Sequence, residues 1–136
     1  MIIDRRLQVS SNQALTATAV SADTIDFGSD RDVGTGYGMW VCVAFKTAMA
    51  GTSPTFRFEV QTDDNVAFSS PATLVTSETV SGATPAGRFI VVPFPMTNER
   101  HVRLNYVLGG TSPTVTVDAW ITNQHPTSWQ GYPDAI

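Results

Sequence analysis

Residues 101–122, HVRLNYVLGGTSPTVTVDAWIT, constrain the fold more than any other stretch of the chain. Val102, Leu104, Tyr106 and Leu108 alternate with Arg103 and Asn105. Val115, Val117, Ala119 and Ile121 then alternate with Thr114, Thr116, Asp118 and Thr122. A period of two is the signature of strands with one buried face, because successive side chains point to opposite sides. Between the runs, Gly109-Gly110-Thr111-Ser112-Pro113 supplies residues that tolerate positive φ or fix φ near about −65°. The stretch therefore reads as two strands and a turn, a hairpin. The pentapeptide Gly-Thr-Ser-Pro-Thr also occurs at residues 51–55 between alternating runs, so the same hairpin device is expected twice.

The rest of the chain follows the same grammar. Phe56, Phe58 and Val60 alternate with Arg57, Glu59 and Gln61, a half-exposed strand over residues 55–62. Residues 39–46, MWVCVAFK, are apolar on both faces and read as a central strand. Residues 15–21 form a strand of small residues that 24–27 continues, short runs follow at 66–68 and 72–77, and 88–93 ends at Pro93 and Pro95, as an edge strand would. Residues 28–38 and 80–87 are loops. The first is glycine-rich, but a phosphate cradle needs a helix N-terminus behind it, and a strand pattern follows instead. Residues 1–11 read as an edge strand or an arm, and residues 123–136 as an irregular tail. Eight or nine short strands without a helix or linker indicate one all-β domain, an antiparallel β-sandwich or barrel.

Charge narrows the function. The formal net charge is −4, and lysine occurs once, at Lys46. Nucleic-acid affinity rests on Lys and Arg neutralising phosphates, so no nucleic-acid partner is expected. No apolar run approaches the roughly 20 residues of a spanning helix, so no membrane partner is expected either. Met1-Ile2-Ile3-Asp4 lacks the character of a signal peptide. The single cysteine, Cys42, gives no intrachain disulfide, which fits folding in a reducing cytoplasm.

Chemistry-bearing residues are sparse. His101 and His125 lack partners at metal-ligand spacing, and no serine sits in a G-x-S-x-G elbow. Asp63-Asp64-Asn65 reads as a turn rather than a calcium loop, and Asp30-Arg31-Asp32 as a loop salt bridge. Glu59 and Asp118 follow the two pentapeptides at equivalent places, but glycosidase chemistry requires carboxylates roughly 5–10 Å apart, and both read as solvated or interfacial. No catalytic residue, metal or cofactor is expected. The aromatics say more: Trp120 lies in register with the polar side of its strand, and Trp129 and Tyr132 lie in the tail. These rings either seal the sandwich, form a protein interface or stack on sugars.

The blocks Met1-Ile2-Ile3-Asp4, Gln13-Ala14-Leu15-Thr16, Ile25-Asp26-Phe27-Gly28, Arg31-Asp32-Val33-Gly34, Val60-Gln61-Thr62-Asp63, Arg103-Leu104-Asn105-Tyr106 and Gly109-Gly110-Thr111 run in order along the chain. In these it resembles the capsid cement, or decoration, proteins of tailed bacteriophages. The resemblance implies a jelly-roll-like antiparallel β-sandwich that forms a homodimer or homotrimer. Made in the bacterial cytoplasm, it would bind the outside of the phage head and clamp neighbouring major capsid subunits. Ile2, Ile3, Arg5, Arg6, Arg103, Trp120, Trp129 and Tyr132 are the candidate oligomer or capsid contacts. A carbohydrate-binding β-sandwich using Trp120, Trp129 and Tyr132 is the alternative.

Overall fold

His101–Thr122 is one strand of 22 residues, not a hairpin. The computed structural model describes residues 3–33 and 38–124, and His101–Thr122 is its last strand, β9. Before it come β1 (Gln8–Leu15), β2 (Ala19–Val20), β3 (Ile25–Asp26), β4 (Trp40–Phe45), β5 (Ala50–Asp63), β6 (Ala72–Thr76), β7 (Val80–Ser81) and β8 (Phe89–Pro93). The first half of β9 pairs with β5 on one side and with β2 and β3 on the other. Its second half pairs with β1 and β4, and β4 pairs with β8. All of these pairings are antiparallel.

The order is therefore β1–β9–β4–β8 in a first sheet and β2/β3–β9–β5–β6/β7 in a second, with β9 passing from one to the other. Two sheets with the chain crossing repeatedly between them form the jelly-roll version of a β-sandwich. On the β1 side the two sheets also meet, through the Asp23 N–H donating to the Val9 carbonyl at 2.9 Å.

The repeated pentapeptide is the corner, not a turn. Its two copies lie opposite one another, with Ala50 paired to Thr114, Thr52 to Thr111 and Thr55 to Gly109, and with a register shift on either side of Thr52. Each copy carries a glycine and a serine at positive φ: Gly51 (128°) and Ser53 (47°) in one, Gly110 (94°) and Ser112 (49°) in the other. Such bulges bend a strand and sharpen its twist, and Pro54 and Pro113 cost little where the ladder is already broken. The expectation of a hairpin failed because Gly, Ser and Pro also mark a bend within a paired strand. The glycine-rich residues then leave too little local signal to say which partner is paired.

Alternation itself held. Val41, Val43 and Phe45 of β4, Phe56, Phe58 and Val60 of β5, and the predicted apolar positions of β9 meet in one core between the sheets. Phe45 meets Phe56 edge-on with centroids 5.0 Å apart, and Phe56 stacks on Tyr106 at 6.0 Å. The Tyr106 hydroxyl, deep in this core, lies 2.6 Å from Ser10 Oγ, and Ser10 bonds Gln13 Oε1 at 2.7 Å. A buried hydroxyl without a partner would cost about 1–3 kcal/mol, so this contact fixes β1 against β9. The sequence reading also misplaced β1. It begins at Gln8, within the segment read as an edge strand or arm, and Asn12 at φ 52° makes a bulge that hides its periodicity.

Candidate functional site

The expected contact residues fall on three separate surfaces. The first is the outer side of the first sheet. Here Cys42, Ala44 and Trp120 are fully buried, and Ile3, Trp40, Phe89 and Val91 pack against them. Trp120 has 0% exposure, and Phe89 meets it edge-on at 6.0 Å. Trp120 is thus a core residue of an outer-face cluster rather than an exposed ring, and among the candidates only Ile3 is brought to it. Burial pushes the Cys42 thiol up to about 12. A thiol-reactive dye such as DTNB is therefore expected to leave Cys42 untouched in the native protein and to label it in denaturant, since the thiolate is the reactive form.

Asp118, on the same side of the sheet, was read as solvated or interfacial. It is buried instead: its Oδ1 accepts the Asn12 N–H at 2.6 Å, and its Oδ2 lies 3.7 Å from Lys46 Nζ. The carboxylate serves the β1 bulge by satisfying a backbone donor that the ladder leaves over. Glu59 is on the outer side of the second sheet, bonded to Asn105 Nδ2 at 3.0 Å, so the two carboxylates do not form a dyad.

The second surface is the outer side of the second sheet. Arg103 Nε donates to Gln61 Oε1 at 3.0 Å, and its guanidinium lies 4.2 Å from the centre of the Phe68 ring. Phe68 was read as part of a short strand, but it sits in a loop at φ 48° and is buried, with its ring also edge-on to His101. Sequence reasoning missed this plug, since one aromatic in a polar loop has no periodicity. Arg103 is thereby held down on the sheet instead of reaching outward.

The third surface is the N-terminal turn, Arg5–Leu7, capped by Asp4 through the Arg6 N–H at 2.9 Å. Arg5 and Arg6 are exposed, and Arg5 reaches Asp23 at 3.4 Å. Ile2, Trp129 and Tyr132, along with His125, lie outside the described residues.

The loops at the end where β3, β5 and β9 meet are tied by charge. Asp26 takes two bonds from Arg100, at 2.6 and 2.8 Å, and one from the Gly28 N–H. The Arg100 bonds, with the Gly28 N–H second, hold its carboxyl far below the usual carboxylate range. Asp63 closes the expected turn, accepting from the N–H groups of Asn65 and Ser70, and these two bonds hold it low as well. Arg31 donates to Ser29 Oγ, where a salt bridge to Asp30 or Asp32 was expected.

Because the folded Asp26 carboxyl lies below its unfolded value, its contribution is full above the ordinary carboxylate range and is lost as pH falls through the depressed value. Asp26→Asn should therefore melt lower than the parent at neutral pH, and the gap should narrow steadily as pH falls below about 4 in a melting-temperature series.

The family model for Bbp16 matches residues 9–121, from Val9 in β1 to Ile121 in β9. No curated protein matches the chain. With the match spanning most of the sequence, the chain belongs to the Bbp16 family.

Proposed function

We propose that this chain is a structural cement protein of a tailed-phage head, a homo-oligomer that binds the outer shell and clamps neighbouring major capsid subunits. The observation that carries this reading is the frame. One strand of 22 residues belongs to both sheets, so a load applied to loops at either end passes along a single strand rather than through a hinge. Membership of the Bbp16 family supports it, since the family name suggests a phage-related protein, and the resemblance of the chain's ordered sequence blocks to cement proteins points the same way. An oligomer touching two or three subunits at once gains avidity from geometry alone, so individually weak contacts suffice. The exposed pair Arg5 and Arg6 and the loops between strands are the contact surfaces this reading uses.

The test adds purified protein to expanded, undecorated heads and follows head melting by calorimetry. Heads should melt at higher temperature in proportion to bound protein; failure to sediment with the heads would sink the reading. Light scattering of the pure protein separates dimer from trimer. The sugar-binding alternative loses its central ring, because Trp120 is buried and cannot stack on a ligand.

A further inference from the structure

At the end of the sandwich, Asp26, Asp63, Asp64, Asn65, Arg100 and His101 line an open cavity of about 660 Å³. The surrounding loops concentrate charge. Asp30, Arg31 and Asp32 line a separate pocket with Asn98, and the charge of Asp30 acts on Arg100. Three links hold these loops together: the Val33–Thr97 bridge, the bond from the Phe27 N–H to the Arg100 carbonyl, and the bond from the Arg100 N–H to Asp64 Oδ1.

A second observation points to a guest. His101 is 4% exposed, yet its Nδ1 has no hydrogen-bond partner among the described residues and lies 3.9 Å from Asp26 Oδ1. A buried polar atom without a partner is uncommon and calls for an explanation. As the acceptor of a neutral imidazole this Nδ1 needs a donor, and the Asp26 carboxylate beside it can only accept.

We propose that this cavity takes a cationic side chain, an arginine or lysine presented by a partner protein. Asp26 is committed to Arg100 and Asp63 to its turn. Asp64 takes only one long bond, at 3.3 Å, and leaves most of its acceptor capacity toward the cavity. A guanidinium brings several N–H donors and no acceptor, which matches an acceptor-rich lining. Val66, 72% exposed on the cavity wall, offers apolar surface to the aliphatic stem. No group of three or more His, Cys, Asp or Glu among the described residues is arranged to hold a metal ion, so the organic cation is the better guest.

This inference goes beyond the cement reading and stands on the cavity alone. The test titrates N-acetyl-arginine amide into the full chain and follows backbone amides by two-dimensional NMR. Saturable shifts at residues 63–66 and 100–101 are expected, with a Kd on the order of millimolar for so small a probe. Asp64→Asn keeps a side-chain oxygen for the Arg100 N–H while removing the charge, and should weaken binding roughly fivefold or more. Absence of saturable shifts, shifts elsewhere, or an unchanged Asp64→Asn variant would overturn it. So would a tighter response of the same amides to calcium chloride, which would make the cavity a metal site.

Discussion

Gly110→Ala is expected to destabilise the domain by about 3 kcal/mol or more, lowering the melting temperature by roughly 10 °C. An alanine Cβ at this position would stand 2.5 Å from the Ser53 carbonyl oxygen and 2.7 Å from that of Thr52. Both are backbone atoms of the opposing strand, so relief requires separating β5 from β9 at the corner where the sheets are joined. The backbone adds its own penalty, since φ 94° is a conformation that costs an L-residue roughly 1–2 kcal/mol. Gly51 meets the facing segment in the same way, with Ser112 O at 2.9 Å from its virtual Cβ, and Gly51→Ala should behave alike. Gly28 is the control: φ is 79° but nothing lies within 4 Å, so Gly28→Ala should show the backbone penalty alone, about 1 kcal/mol. Urea unfolding followed by circular dichroism measures all three. Equal losses at Gly110 and Gly28 would show that close approach at the corner contributes nothing.

This corner also marks how far the sequence could be read. Alternation identified the inward residues of β5 and β9 correctly, because burial on one face of a strand leaves a local period that no partner is needed to see, while β4 was legible as a run apolar on both faces. Pairing is not local. Thr52 meets Thr111 across 59 residues, and a Gly-Ser-Pro cluster that looks like the tip of a hairpin is equally what a strand needs to bend. The β1 bulge hid a strand for a related reason: one residue at positive φ shifts the period, so Asn12 splits a continuous element into two that look irregular.

The contact surfaces were less legible than the frame. Arg103 and Asp118 lie on outer faces, as their register demands, but register says which side a residue is on and not what covers that side. Phe68 covers Arg103 from a loop 35 residues earlier, and Asp118 is taken up by a bulge more than 100 residues away. The turn at Asp63-Asp64-Asn65 was legible because an Asx turn is made by the side chain and the backbone of adjacent residues. The cavity around it was not, since Asp26, Asp63 and His101 come from three strands and share no sequence spacing.

Trp120→Ala separates a core role from a contact role more sharply than any other change, and it is expected to cost about 3–5 kcal/mol of stability. The indole is fully buried against Phe89, Cys42 and Ala44 on the outer side of the first sheet. Truncation removes a large apolar side chain from a site whose neighbours are held by β4, β8 and β9 and cannot collapse into the space. Domains of this kind have roughly 5–15 kcal/mol in total, so the variant should remain folded at low temperature but unfold at much lower urea, followed by circular dichroism. Trp120→Phe keeps most of the volume and should recover most of the loss. A residue that served mainly as an oligomer contact would behave in the opposite way. The isolated chain would keep its urea midpoint while light scattering showed dissociation, and that pattern would make Trp120 an interface residue on the polar side where the alternation of β9 placed it.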